Sequence, residues 1–185
     1  MSGKSPAVQA NALWAKIPKA NAELFAITYG SLVGELIRDL EKTEKIQEEL
    51  DRMGHSMGIR CIEEFLAKSD LVKCQSFLES ADLMKMAIKM FLGITVDTVE
   101  RSDHSYNISL PENPLAIFVE LPEDRMDLEY SQLLCGWVRG MLEMLQFDVE
   151  CRVVQSQLKG DETNEIAVSL NQILQDGAGE EYQEE

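Results

Sequence analysis

With 185 residues, 45% of them hydrophobic and 27% charged, the chain has the size and balance of one domain that folds without disulfides or a structural metal. Its 33 acidic and 17 basic residues leave a net charge of −16. That balance excludes a nucleic-acid partner, because phosphate binding needs a basic face, and it leaves membrane association to partners or a lipid.

The first 20 residues read as a flexible leader. They lack the continuous apolar core of a signal peptide, and no apolar run in the chain reaches the roughly 18 residues that span a bilayer. A cytosolic protein is expected. The GKS at Gly3 to Ser5 lacks the upstream glycine of a phosphate loop.

One domain is predicted from 21 to 174. Leu24, Phe25, Tyr29, Leu32, Val33, Leu36 and Leu40 fall three and four apart, predicting a helix that Asn21 caps. Gly30 and Gly34 lie on it, four apart and unfavourable to helix formation, which points to close approach of a neighbouring helix. A polar continuation ends at Gly54, read as a C-cap. A second helix is predicted from about Ser56 to Lys68. Ser76 and Glu79 form a capping-box pattern that opens a third helix, apolar almost all round and therefore buried, with Gly93 as its stop. SYNISL and AIFVEL then read as strands flanking a PENP turn. A fourth helix is predicted from Leu128 to about Leu145. DVECRVVQ and EIAVSL read as two further strands, and 175–185 as an acidic, mobile tail. Helices followed by an antiparallel sheet with one helix inserted predict an α+β fold, its helices on one side of a small sheet.

The four cysteines, at 61, 74, 135 and 151, are widely spaced, and neither His55 nor His104 has metal-ligand spacing with them, so no metal is expected. Cys61, Cys135 and Cys151 read as structural. Cys74 sits beside Lys73 just outside a helix start, where positive potential favours the thiolate. Three readings of it stand open. It is inert packing, or a catalytic nucleophile that lacks an evident base, or an attachment point for an acyl chain that the following helix shelters. In the last reading Phe77, Leu78, Ala81, Met84, Ala87 and Ile88 line the shelter.

ELFAITYGSLVGEL from Glu23, LDRMGHSMGIRCIEEFLAKS from Leu50, KCQSFLESAD from Lys73, KMFLGIT from Lys89, NPLAIFVELP from Asn113, LLCGWVRGMLEMLQFDVE from Leu133 and LKGDETNEI from Leu158 occur in order. In these blocks, over roughly 21 to 170, the chain resembles the small-subunit family of the transport protein particle (TRAPP), a vesicle-tethering assembly. The resemblance implies helix-mediated dimers, with other small subunits or with itself when alone, and makes Gly30 and Gly34 dimer-contact candidates. It implies a palmitoyl or similar fatty acyl thioester on Cys74, its chain held in an internal tunnel that Ala87 keeps open. It further implies a core role in ER-to-Golgi transport at the cis-Golgi and endoplasmic reticulum. Nucleotide exchange on a Rab-type GTPase is then expected of the complex and not of this chain alone, with Glu180 and Glu181 of the tail as GTPase-contact candidates. Two departures qualify the likeness. The stretch from Ala81 to Met90 is one residue shorter than the family pattern, which turns part of the helix by about 100°, and a net charge of −16 confines any basic membrane-facing patch to a local area. The alternatives are a lipid- or small-molecule-binding module of the same fold without a tethering role, and a thiol enzyme.

Overall fold

The computed structural model describes residues 6–69, 74 and 76–174. Five helices and a four-stranded antiparallel sheet run in the order α1 (Pro6–Lys16), α2 (Ala22–Leu40), α3 (Thr43–Ser69), α4 (Phe77–Leu92), β1 (Asp97–Ser102), β2 (Ser105–Leu110), α5 (Gln132–Met144), β3 (Phe147–Gln155) and β4 (Asn164–Ile173). The sheet order is β1-β2-β4-β3. Along β2, β3 and β4 burial alternates, so one face of the sheet carries the core and the helices cover it. Cross-strand neighbours Tyr106 and Val168, and Cys151 and Val168, form a buried row through the middle of that face.

The predicted caps are present. Asn21 Oδ1 accepts the Leu24 N–H at 2.7 Å and Ser76 Oγ accepts the Glu79 N–H at 3.3 Å. Each satisfies one of the amide donors that a helix start leaves unpaired. Gly93 ends α4 in the left-handed conformation, φ 73°, with its N–H bonded to the Lys89 carbonyl.

Four expectations are corrected. The leader is not loose throughout. Residues 6–16 form α1, whose Ala10 and Leu13 are buried on the core while the Trp14 ring packs over Gly93. Gly54 does not stop a helix but lies inside α3, where α5 passes so close that a Cβ would stand 2.1 Å from the Leu133 carbonyl oxygen. AIFVEL is not a strand. Asn113 Oδ1 accepts the Leu115 N–H at 3.0 Å, its Nδ2 donates to Ser131 at 2.7 Å, and the chain folds into tight turns from Asn113 to Val119. Asx-turn chemistry and the two flanking prolines outweigh the apolar pattern. The sheet's other outer strand is β1, an edge strand exposed along nearly its whole length and so without the alternation that marks a half-buried strand. The fourth predicted helix begins four residues later, at Gln132, after a buried turn that holds Leu128 and Tyr130.

Candidate functional site at Cys74

Helix α4 opens just after Cys74 and is largely buried. Nine of its sixteen residues are buried, including Phe77, Ala81, Met84, Ala87 and Ile88, and Leu78 is partly buried against the same core. Phe77 anchors its first turn to the sheet through ring contacts with Tyr106, centroids 5.1 Å apart, and Phe147 at 5.7 Å. Ser80 Oγ donates to the Phe77 carbonyl at 2.5 Å and lies 3.1 Å from the Tyr106 hydroxyl. This buried polar pair gives the phenol a partner in an otherwise apolar layer.

Cys74 stands half-buried just before this helix, and its Sγ donates to the Ser76 carbonyl oxygen at 3.1 Å. Burial pushes the thiol up from its ordinary range, hydrogen bonding at the Ser76 backbone opposes the rise, and Glu79 adds to it. Burial thus works against the thiolate that a helix start favours. Lys73 lies outside the described residues, as do Glu180 and Glu181 of the tail.

The thiol's hydrogen bond goes to a carbonyl and not to an imidazole. His55 is engaged elsewhere, Nε2 to Glu143 Oε2 at 2.6 Å between α3 and α5, and His104 sits in the exposed β1–β2 turn. Neither histidine is placed to activate Cys74 as a nucleophile. Cys135 and Cys151 are buried and their thiols are pushed up by burial, as fits structural cysteines. Among the described residues no cluster of three or more His, Cys, Asp or Glu could hold a metal, and no helix is long and apolar enough to cross a membrane.

The glycines of α2 diverge. A Cβ on Gly30 would meet the chain's own Tyr130 hydroxyl at 3.5 Å, whereas Gly34 faces open space. Leu24, Phe25, Ile27 and Leu32 leave an apolar strip of α2 exposed.

Two cavities open away from Cys74. One, of about 440 Å³, lies between the start of α1, the polar side of α4 and the residues leading into β1. The other, of about 380 Å³, lies under the segment joining α1 to α2. Neither is lined by Cys74 or by the six residues assigned to the shelter. Neither is legible in a sequence reading that leaves residues 1–20 as a flexible leader, because α1 or the segment after it lines both. The signal was present in Ala10, Leu13, Trp14 and Ile17, three and four apart.

The fold and this site define an α+β subunit with a half-buried cysteine set just ahead of a buried apolar helix. The chain belongs to the transport protein particle (TRAPP) component family, whose model matches residues 25–169. It is 45% identical over 168 residues, 89% of this chain and 91% of the relative, to transport protein particle subunit bet3 of Schizosaccharomyces pombe. It is 44% identical over 170 residues, 90% and 91% of the two chains, to trafficking protein particle complex subunit 3 of Dictyostelium discoideum. Among solved structures it is similar to trafficking protein particle complex subunit 3 from Naegleria fowleri covalently bound to palmitic acid, at 42% identity and a TM-score of 0.80, covering 84% of this chain and 98% of that one. These relatives are named as subunits of a trafficking complex, not as enzymes. Helix α1 lies outside the residues the family model matches.

Proposed function

We propose that this chain is a core subunit of a vesicle-tethering complex in ER-to-Golgi transport, at the cis-Golgi and endoplasmic reticulum, and that it carries a palmitoyl or similar acyl group as a thioester on Cys74. The observation that carries the acyl reading is a half-buried thiol placed directly ahead of α4, whose inward residues are nearly all apolar. The palmitate held covalently by the similar subunit from Naegleria fowleri supports it. In this reading Phe77, Leu78, Ala81, Met84, Ala87 and Ile88 wall the chain. The alanines leave room and the methionine adapts to a flexible ligand.

Energetics favour an internal role over a membrane anchor. At about 0.8 kcal/mol per buried methylene, a palmitoyl chain represents on the order of 10 kcal/mol of apolar transfer, and withdrawing it to a bilayer would only exchange one apolar medium for another. The raised thiol fits a structural adduct. In thiol exchange a sulfur of higher pKa leaves more slowly, so the burial that slows acylation also preserves the product. Intact mass of the purified chain is expected to show one fatty acyl addition, removed by hydroxylamine and absent from Cys74→Ser. Loss of the adduct is expected to lower the melting temperature, because a vacated cavity destabilises a core. A parent protein without an adduct, and with the same melting temperature as Cys74→Ser, would exclude the acyl reading.

Pairing runs through α2 in this proposal, with another small subunit or with a second copy. Leu24, Ile27 and Leu32 supply an apolar strip, and the open side of Gly34, not Gly30, admits a neighbouring backbone. Ile27→Glu is expected to convert a dimer to a monomer in sedimentation without lowering helix content. A parent that is already monomeric at high micromolar concentration argues against the α2 contact. The assembled complex, and not this chain alone, exchanges nucleotide on a Rab-type GTPase. Glu180 and Glu181 remain candidates for that contact.

A further inference from the structure

The segment from Trp14 to Ala22 arches over the domain and leaves an apolar cleft of about 380 Å³ beneath it. This volume lies within the roughly 300–1,000 Å³ of sites that take small ligands. Cys61, Phe91, Leu134 and Trp137 form its floor and Trp14 and Ile17 its roof. Phe91 and Trp137 meet edge to face, with ring centroids 6.1 Å apart.

Three polar side chains reach the lining, and two are already engaged. Glu64 is ion-paired with Lys68, and Asn21 caps α2 through the Leu24 N–H. The third is Lys19. Its ammonium lies 3.7 Å from the centre of the Trp14 ring and donates to the carbonyls of Trp14 and Ile17, the latter at 3.0 Å. No carboxylate pairs with it among the described residues. An ammonium has three N–H donors, so one remains for an anion. The cleft thus has an aromatic and aliphatic body with a single cation, Lys19, that no carboxylate pairs with among the described residues.

We propose that this cleft binds one fatty-acid-like anionic amphiphile non-covalently, its hydrocarbon between Trp14 and Trp137 and its carboxylate at Lys19. The site is separate from Cys74: neither that cysteine nor any α4 residue before Phe91 contributes to the lining. Its roof falls outside the family-matched residues. It does not depend on the acyl reading of Cys74.

The chain's two tryptophans, Trp14 and Trp137, both line the cleft, so intrinsic fluorescence reports on this site. The experiment titrates Cys74→Ser protein with a long-chain fatty acid brominated at mid-chain, below its aggregation concentration, because bromine quenches tryptophan only at contact. Saturable quenching at one equivalent is expected. Lys19→Ala is expected to weaken the fatty acid about tenfold, as for loss of one charge-assisted hydrogen bond, and to leave the matching brominated alcohol unaffected. Ala22→Phe, which adds a ring at the lining, is expected to abolish both. The same titration on protein acylated at Cys74 is expected to give the same curve. Absent or non-saturating quenching, or equal affinity of parent and Lys19→Ala for the acid, overturns the proposal. Loss of quenching on acylation also overturns it, by assigning the cleft to the chain attached at Cys74.

Discussion

Gly136→Ala is expected to destabilise the fold by about 3 kcal/mol or more, a drop of roughly 6–12 °C in melting temperature for a chain of this length. A Cβ at Gly136 would stand 2.1 Å from the Asp51 carbonyl oxygen. Three more glycines repeat the contact along the same pair of helices. Gly54 would meet the Leu133 oxygen at 2.1 Å, Gly58 the Trp137 oxygen at 2.2 Å and Gly140 the His55 oxygen at 2.3 Å. All four obstacles are backbone carbonyls, which cannot rotate aside as a side chain can. A single methyl therefore forces α3 and α5 apart along their length, and with them Leu50, Ile62 and Met141, all fully buried. The Asp51 carboxylate, which takes Arg139 and, at 3.1 Å, Gln132 across the same seam, moves with them. Alanine's better helix propensity returns only about 1 kcal/mol. Gly34→Ala is the control. With open space at its Cβ position, it is expected to hold or raise the melting temperature of the monomer. Denaturant melts of the two variants decide the matter: a Gly136→Ala protein that melts with the parent means the helices do not approach backbone to backbone.

The same glycines show where sequence reading succeeds and where it fails. Gly93 and Gly54 look alike in sequence, each following a stretch that reads as helix, apolar before Gly93 and polar before Gly54. Gly93 ends α4 because its positive φ and the Lys89 carbonyl close the last turn. Gly54 continues α3 because its missing side chain admits α5, whose own Gly136 and Gly140 lie some 80 residues away. No local pattern distinguishes the two uses. Helix α4 was legible because everything that defines it is local: the Ser76 cap, the apolar run and Gly93. Edge strand β1 was not, because exposure on both faces removes the alternation that betrays a strand. At the site, the position of Cys74 ahead of α4 could be read directly, but its protonation could not. The helix start suggested a thiolate, while the extent of burial that pushes the thiol up is a tertiary quantity.

Raising the pH is expected to remove on the order of 5 kcal/mol of unfolding free energy between pH 9 and pH 11. The groups responsible are buried and neutral. The Tyr29 hydroxyl donates to the Tyr130 carbonyl at 2.5 Å, Tyr106 sits fully buried beside Ser80, and the Tyr130 hydroxyl meets no hydrogen-bond partner among the described residues. Burial raises all three phenols, Tyr130 to about 12, and raises the thiols of Cys135 and Cys151 as well. In the unfolded chain the thiols ionise near pH 8.5 and the phenols near 10. A group whose folded pKa lies above its unfolded value contributes in full below the unfolded value. That contribution is lost as pH rises toward the folded one, because the unfolded state then binds fewer protons. The decline thus begins with the thiols near pH 9, steepens past pH 10 as the phenols join, and for Tyr130 ends near 12. Each group supplies at most about 1.4 kcal/mol per pH unit, yet five acting together rival a total stability of about 5–15 kcal/mol. Denaturant unfolding at pH 9, 10 and 11 under reductant measures the slope. Tyr106→Phe, which keeps the ring packing, is expected to reduce it above pH 10 by about one proton's share. In a Tyr182→Phe background, which leaves only these three tyrosines, phenolate absorbance is expected to rise only as the chain unfolds; a rise that precedes unfolding, with stability flat to pH 11, would mean these hydroxyls titrate freely within the fold.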